Sequence, residues 1–267
     1  MIKNYFTVDV ENWHDRLAFR KYNIKEDGSA LKGVRIILEL LKNNKAKATF
    51  FVLGKAAEET PEIVKEIHEA GCEVASHGYS HTELTKLNKD SFNKELKKTE
   101  KIIKKITGKK PVGFRAPKFS LNNKTKWAIN ILKKRNYKYD SSIFPVNIGL
   151  YGVNGISYPY RISSKNIVKE DPKSNLMEYP LLTNDFGFVK LPVKFRHLGY
   201  NYTVSAIKRM NKKGYPATFL LHSWEVLDKP KNNDKMPLLK EFVRNYGIPC
   251  FENINKLLMN LKWTIIK

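Results

Sequence analysis

The chain has 267 residues, of which 49 are Lys or Arg and 26 are Asp or Glu, giving a formal net charge of +23 at pH 7. With 42% hydrophobic and 12% aromatic residues it can bury a sizeable core, which excludes a disordered chain in spite of the charge. No apolar run approaches the roughly 18 residues of a membrane-spanning helix, the longest lying at Ala48–Gly54, so a soluble chain is expected.

The N-terminal MIKNYFTVDVENW enters strand-like alternation at once, with no apolar stretch and small-residue cleavage site behind a basic start; a secretory leader is not expected. A strand is predicted at Tyr5–Val10, a helix at about Leu31–Lys42 and a second strand in KATFFVLG, ending at Gly54. The helix at Pro61–Ala70 has Thr60 as its expected N-cap, Pro61 in its first turn and Gly71 as its stop. CEVASH (Cys72–His77) reads as a strand, followed by an amphipathic helix at about Ser91–Thr107, a strand at Pro111–Ala116, a helix near Lys124–Arg135 and a strand at Tyr137–Ser142. Such β-α repeats predict a parallel sheet faced by helices, doubly wound or closed into a barrel. From about 145 to 196 the chain is rich in Pro, Gly, Tyr and Asn, and a loop-rich wall with short strands and a functional surface is expected. Regular patterns return as a helix near Val204–Lys213, a strand at Tyr215–His222 and helices at Pro237–Tyr246 and about Asn253–Leu261. With no Gly/Ser linker or internal repeat, one domain over residues 1–267 is expected, the size of a single barrel. Cys72 and Cys250 are too few for a disulfide framework and lack metal-site spacing, which suits a reducing, cytoplasmic setting.

Four segments carry residues suited to chemistry. In FTVDVEN, strand alternation turns Asp9 and Glu11 to one face and Val8 and Val10 to the other, and two neighbouring acids call for a cation or strong donors between them. In SHGYSH, His77 and His81 stand four apart after a strand and can meet one metal ion if the loop turns helically; surface or core histidines are the plainer reading. GFRAPKF sets Arg115 at a strand end, able to orient a carboxylate, and its turn can present a backbone N–H to an oxyanion. His222 emerges from the apolar strand FLLH as a candidate general acid, or as a buried structural histidine. These strand ends fall on the rim where parallel α/β folds place their sites.

Taken together, FTVDVENW, ASHGYSH, FRAPKFS, YDSSIFP, the central YPYRI…MEYPLLT region and LHSWE resemble the polysaccharide deacetylase family, the NodB-homology carbohydrate esterases of family 4, and within it the branch found in bacterial exopolysaccharide clusters. The resemblance spans residues 5–225 and implies an α/β fold, a distorted (β/α) barrel. It implies a hydrolase of non-peptide amide bonds that removes an N-acetyl group from a sugar. By resemblance Asp9 is the base that takes a proton from the attacking water, and Glu11, His77 and His81 hold a divalent metal, Zn first with Co or Ni as substitutes. Arg115 holds Asp9, the backbone N–H near Lys118 joins the oxyanion hole and His222 protonates the leaving amine. Asp140, Trp224 and Arg196 are assigned to support or substrate contact, Asp140 by analogy with an acid that backs the catalytic histidine. Two positions depart from the pattern: Val10 separates acids that are adjacent aspartates in many members, and Lys118 replaces an aromatic residue.

The remaining features bear on partners. Trp13, Tyr79, Tyr151, Tyr158, Tyr160 and Trp224 offer sugar platforms or core packing, while Arg161 and Arg196 suit an acidic sugar or phosphate. His14 is assigned to support, His68 to the surface, and the lysine-rich helix LKKTEKIIKKITGKK to a solvated face striped by Leu96, Ile102, Ile103 and Ile106. The expected partner is an N-acetylated glycan or lipid-linked sugar, anionic in character. The C-terminal NINKLLMNLKWTIIK packs on the barrel or, through its lysines, contacts an anionic inner membrane surface. The charge alone also fits nucleic acid, but no recognised module appears, so no specific nucleic-acid partner is expected. The alternatives are a deacylase or deformylase of a small or lipid-linked sugar, and a catalytically inactive carbohydrate-binding member.

Overall fold

The computed structural model describes residues 2–13, 28–146, 152–187, 189–228 and 247–266. The expected helix at Pro237–Tyr246, together with His14 and Tyr151, lies outside the described residues.

The strands are β1 (Lys3–Val10), β2 (Thr49–Val52), β3 (Glu73–Ser76), β4 (Gly113–Phe114), β5 (Tyr139–Asp140), β6 (Tyr160–Arg161), β7 (Met177–Glu178), β8 (Thr183–Asp185), β9 (Lys190–Pro192), β10 (Thr218–His222) and β11 (Lys262–Thr264). The helices are α1 (Ser29–Asn43), α2 (Gly54–Glu59), α3 (Pro61–Glu69), α4 (Lys89–Thr107), α5 (Trp127–Lys134), α6 (Phe195–Lys212) and α7 (Ile248–Asn260). The main sheet runs β10-β1-β2-β3-β4-β5-β7-β6, parallel except for β6 against β7, and β8 and β9 form a separate antiparallel hairpin. Thr7 pairs with Leu220 on one side and Thr49 on the other, and Tyr5 pairs with Thr218 and Thr264, so β11 shares with β2 the edge of β1 opposite β10.

Beyond β7 the chain crosses the gap in the sheet: the Leu181 N–H donates to Ile143 O and the Leu182 N–H to Thr218 O, each at 2.9 Å. The sheet is thereby curled into a half-barrel, a distorted (β/α) barrel with helices outside. Strand alternation divides its two faces. Val8, Val10, Phe50 and Val52 face the large core under α1, α3 and α7, whereas Phe51, Ala75, Tyr139 and Tyr179 cluster inside the curl. A second outer core joins Phe92 and Leu96 of α4 to Phe114, Ile129 and Leu132.

Several local expectations are corrected. Thr60 occupies the N-cap of α3 but makes no side-chain cap bond. The lysine-rich helix begins before Ser91: Asn88 is its cap, and Asn88 and Ser91 bond each other's backbone N–H reciprocally. Its stripe is buried at Leu96 and Ile103. α6 starts at Phe195, nine residues ahead of Val204, with a left-handed kink at Gly199 (φ 70°) that interrupts the period. The C-terminal segment turns its apolar side chains inward: Leu257, Leu258, Trp263 and Ile266 are buried, and the Trp263 ring stands edge-on to Phe6 and Phe219. Among the described residues, no helix is long and apolar enough to cross a membrane.

One contact fixes the rim. α1 crosses the 3-10 turn Ser223–Val226 so closely that a Cβ on Gly33 would lie 1.9 Å from the Ser223 carbonyl oxygen. Glycine is required there by space.

Candidate active site

The C-terminal ends of β1, β3, β4 and β10 converge. Asp9 and His222 are register partners on neighbouring strands, and His77 and Arg115 immediately follow β3 and β4. The Ser223 hydroxyl pins the residue after β1, accepting the Glu11 N–H at 3.1 Å and donating to the Glu11 carbonyl at 2.9 Å.

Asp9 and Arg115 form a buried pair. One Arg115 Nη lies 2.7 Å from Asp9 Oδ1 and 3.0 Å from the Thr7 hydroxyl; the rest of the guanidinium donates to the Ser141 carbonyl and hydroxyl. Its plane lies over the Phe51 ring at 4.0 Å, so an entirely buried cation makes four hydrogen bonds and is stacked.

Beside this pair, Glu11 Oε1 lies 3.0 Å from His81 Nε2 and 3.3 Å from His77 Nε2, with Asp9 Oδ2 3.9 Å from His77 Nε2. His77 Nδ1 is 2.8 Å from the Arg115 carbonyl oxygen, which only accepts, so Nδ1 carries the proton. In the neutral ring Nε2 then directs a lone pair at a carboxylate oxygen. Two acceptors face each other across 3.3 Å, and a cation reconciles them. One ligand atom from each of Glu11, His77 and His81 lies within 4.8 Å of the others, and the same holds for Asp9, Glu11 and His222. A carboxylate with two imidazoles is a donor set that fits a divalent transition metal and leaves coordination positions open. Burial opposes the Glu11 charge, yet the neighbouring His81 and His77 imidazoles and nearby His222 hold its carboxyl well below the usual range.

The two histidines do not meet through a helical turn. The loop turns through left-handed residues instead, Gly78 at φ 75° and His81 at φ 59°. For a non-glycine residue this costs on the order of 1–3 kcal/mol, strain of the kind that collects at functional sites. Lys118 and Phe119 are also left-handed (φ 55° and 52°) where the turn after Arg115 reverses. The Lys118 side chain is taken up by Glu83 at 2.6 Å, and its contribution to the rim is backbone.

His222 Nδ1 is 2.8 Å from Glu225 Oε1, and its ring stacks on Trp224 (4.8 Å, 21°), which Trp13 backs at 4.9 Å. Burial opposes an imidazolium there, but the Glu225 hydrogen bond and the charges of Glu11, Glu225 and Asp9 raise its pKa. The carboxylate behind His222 is therefore Glu225. Asp140 sits elsewhere: it accepts from Ser142, whose hydroxyl also receives the Ala116 N–H, and it pairs in register with Glu178. Sequence reading missed Glu225, Ser223, Ser141 and Glu178. The i,i+3 spacing of His222 and Glu225 is the one signal that was available.

Of the aromatic candidates, Trp13, Tyr160 and Trp224 are buried, Tyr79 bonds Glu58, and Tyr158 stacks on Tyr215. Arg196 lies on α6, but its side chain is outside the described set. Arg161 is engaged by the Ser174 carbonyl.

A half-barrel whose C-terminal rim gathers this donor set beside a buried Asp–Arg pair has the layout of a metal-site (β/α) barrel. Residues 26–139 match the family described as polysaccharide deacetylase, and residues 141–267 match a domain of unknown function, DUF3473. Over residues 26–139 the chain is thus similar to the polysaccharide deacetylase family. The peptidoglycan-N-acetylglucosamine deacetylase of Bacillus cereus is 41% identical over 104 residues, 39% of this chain and 38% of that protein. The peptidoglycan deacetylase of Helicobacter pylori is 32% identical over 155 residues, 55% of this chain and 52% of that protein. The chain spans about half or less of the length of these relatives. Among solved structures, a protein from Mycobacterium smegmatis assigned as a polysaccharide deacetylase aligns with a TM-score of 0.61 at 21% identity, over 98% of this chain and 85% of that one. A CE4-family pseudoenzyme from Bacillus anthracis aligns at 0.51 and 18% identity, over 99% and 63%. At these identities the likeness is one of fold.

Proposed function

We propose that this protein hydrolyses an N-acetyl group from a sugar of a glycan, with the chemistry at the rim of β1, β3, β4 and β10. The observation that carries the reading is the juxtaposition of three elements: the Glu11/His77/His81 donor set, the Asp9–Arg115 pair and the His222–Glu225 pair. Glu11, His77 and His81 would hold a divalent ion, Zn first, which when bound supplies Lewis acidity and lowers the pKa of a water ligand.

The chain's own residues do the rest. Arg115 occupies Asp9 Oδ1 and leaves Oδ2 to take the proton of the attacking water. Glu225 fixes the proton-bearing Nδ1 of His222, and the surrounding carboxylates favour the imidazolium, so Nε2 can deliver a proton to the departing sugar nitrogen. The left-handed turn at Lys118 would offer its backbone N–H to the developing oxyanion. The named relatives act on peptidoglycan; for this chain we favour an exopolysaccharide or its lipid-linked precursor, in keeping with the motif resemblance, and a cytoplasmic setting.

A second reading, release of an acyl group longer than acetyl, is favoured by the cleft beside His222, walled by Phe119, Phe144, Leu181, Val193 and Phe195. The test is mass spectrometry of Zn-loaded protein incubated with N-acetylated and N-butyrylated oligosaccharides. Loss of acetyl, reduced at least about 100-fold in Asp9→Asn with its metal retained, is expected. A metal-bearing protein that hydrolyses nothing, or an Asp9→Asn variant near wild-type rate, would sink the proposal; preference for butyryl would select the second reading.

A further inference from the structure

Away from the rim, a cavity of about 340 Å³ opens between the β8–β9 hairpin, the end of α6 and the segment before β6, within the size range of small-molecule sites. Its wall includes Ser157, which is 5% exposed and whose hydroxyl has no hydrogen-bond partner among the described residues. A buried hydroxyl without a partner costs on the order of 1–3 kcal/mol, a cost that rotation of the Ser157 side chain towards a ligand in the cavity would relieve. Two ammonium groups and one carboxylate share the cavity. Lys213 lies 3.3 Å from Asp185, and Lys190 donates to the Gly155 carbonyl. Burial opposes the Asp185 charge, but the Gly187 N–H and Lys213 hold its carboxyl below the usual range, so one positive charge is left over. On the same wall Tyr215 stacks on Tyr158 with ring centroids 4.3 Å apart and keeps 37% of its surface exposed.

An occupant that matches these groups carries one negative charge, hydroxyls for Ser157 and Asp185, and a flat apolar face for Tyr215. A hexuronate ring has all three. We propose that this cavity binds a hexuronate unit of an acidic glycan. It is distinct from the rim: Tyr215 precedes β10 and His222 ends it, and that strand alone spans about 13 Å. The cavity thus grips the polymer at a distance from the reacting sugar. The ligand class rests on the glycan reading of the rim, but the test below reads binding, so failure of hydrolysis leaves it standing.

The experiment is isothermal titration of the full chain with a hyaluronan tetrasaccharide, in which glucuronate and N-acetylglucosamine alternate, with neutral chitotetraose in parallel and inorganic phosphate as the charge-only control. We expect the acidic sugar to bind at least about tenfold tighter than chitotetraose and phosphate to bind more weakly than the acidic sugar. Lys213→Ala and Ser157→Ala should each weaken acidic-sugar binding about fivefold, and Asp9→Asn should leave the preference intact. Because the Ser157 hydroxyl is buried with no partner to lose, Ser157→Ala should unfold at or above the wild-type temperature, an outcome that a structural role would not give. Equal affinity for the two tetrasaccharides, phosphate binding as tightly as the acidic sugar, or a preference that survives both cavity variants would overturn the proposal. A preference abolished by Asp9→Asn would place binding at the rim and overturn it equally.

Discussion

The barrel buries acids in two ways. At the rim, Glu11 faces two imidazoles and keeps its charge despite burial. Some strands away, Asp140 and Glu178 are entirely buried register partners; burial raises both pKa values, and the Asp140 charge drives Glu178 up strongly while the hydrogen bond with Glu178 restrains Asp140. Each has one oxygen without another partner, Asp140 Oδ2 and Glu178 Oε2, which suits a proton held between a neutral and a charged carboxyl. The same side-chain chemistry therefore gives a charged, cation-seeking cluster in one place and a structural pair that shares one proton in the other. Burial alone does not decide the charge; the donors within reach do.

Removing the partner from a rim acid should produce the largest effect. Arg115→Met leaves Asp9 buried without its guanidinium and should destabilise the fold by about 3–5 kcal/mol in urea unfolding; a change under about 1 kcal/mol would mean that Asp9 needs no cation. Next, Glu11→Gln should weaken Zn binding at least about 100-fold in a chelator competition, and undiminished affinity would remove Glu11 from the donor set.

Glu73 sharpens the contrast, because among the described residues it has a Thr49 hydroxyl and no ion-pair partner, and burial pushes its carboxyl up to about 7. Here the folded state binds the proton more tightly than the unfolded state does. The stabilisation is full below the unfolded pKa near 4.5 and is lost as pH rises towards 7. Glu73→Gln should abolish this slope and exceed wild type in stability at pH 8 by roughly 2 kcal/mol, the full shift discounted for partial exposure. Parallel pH profiles for the two proteins would refute it. Glu178→Gln should have the smallest effect, under about 1 kcal/mol at pH 7, since the amide oxygen can still accept the Ile143 N–H and the amide nitrogen can donate to Asp140. A loss of several kcal/mol would show that Glu178 is ionised.

Much of the first half of the chain was legible because its strands are long enough to show alternation. Val8 and Val10 against Asp9 and Glu11, and Phe50 and Val52 against Phe51, divide between the two faces as the pattern requires. The rim residues were legible because they sit at strand ends. From β4 to β9 the strands shrink to two or three residues, too short for any period, and α6 hides its first turns behind the Gly199 kink. α2 was missed because a six-residue helix abutting Pro61 carries no period of its own. The supporting hydroxyls of Thr7, Ser141 and Ser223 act through contacts across distant parts of the chain, which spacing cannot reveal.

The position of β1 has a consequence for the time course of folding. Its neighbours β10 and β11 come from the far end of the chain, and the Asn4 side chain accepts the Ala217 N–H across 213 positions. At a synthesis rate of about 5–20 residues per second, β1 waits on the order of 10–40 s for β10 to be made, with one edge bare. The lysines that give the chain its charge would keep growing chains apart during that interval, and refolding should be slow because β1 pairs with strands from the far end of the chain.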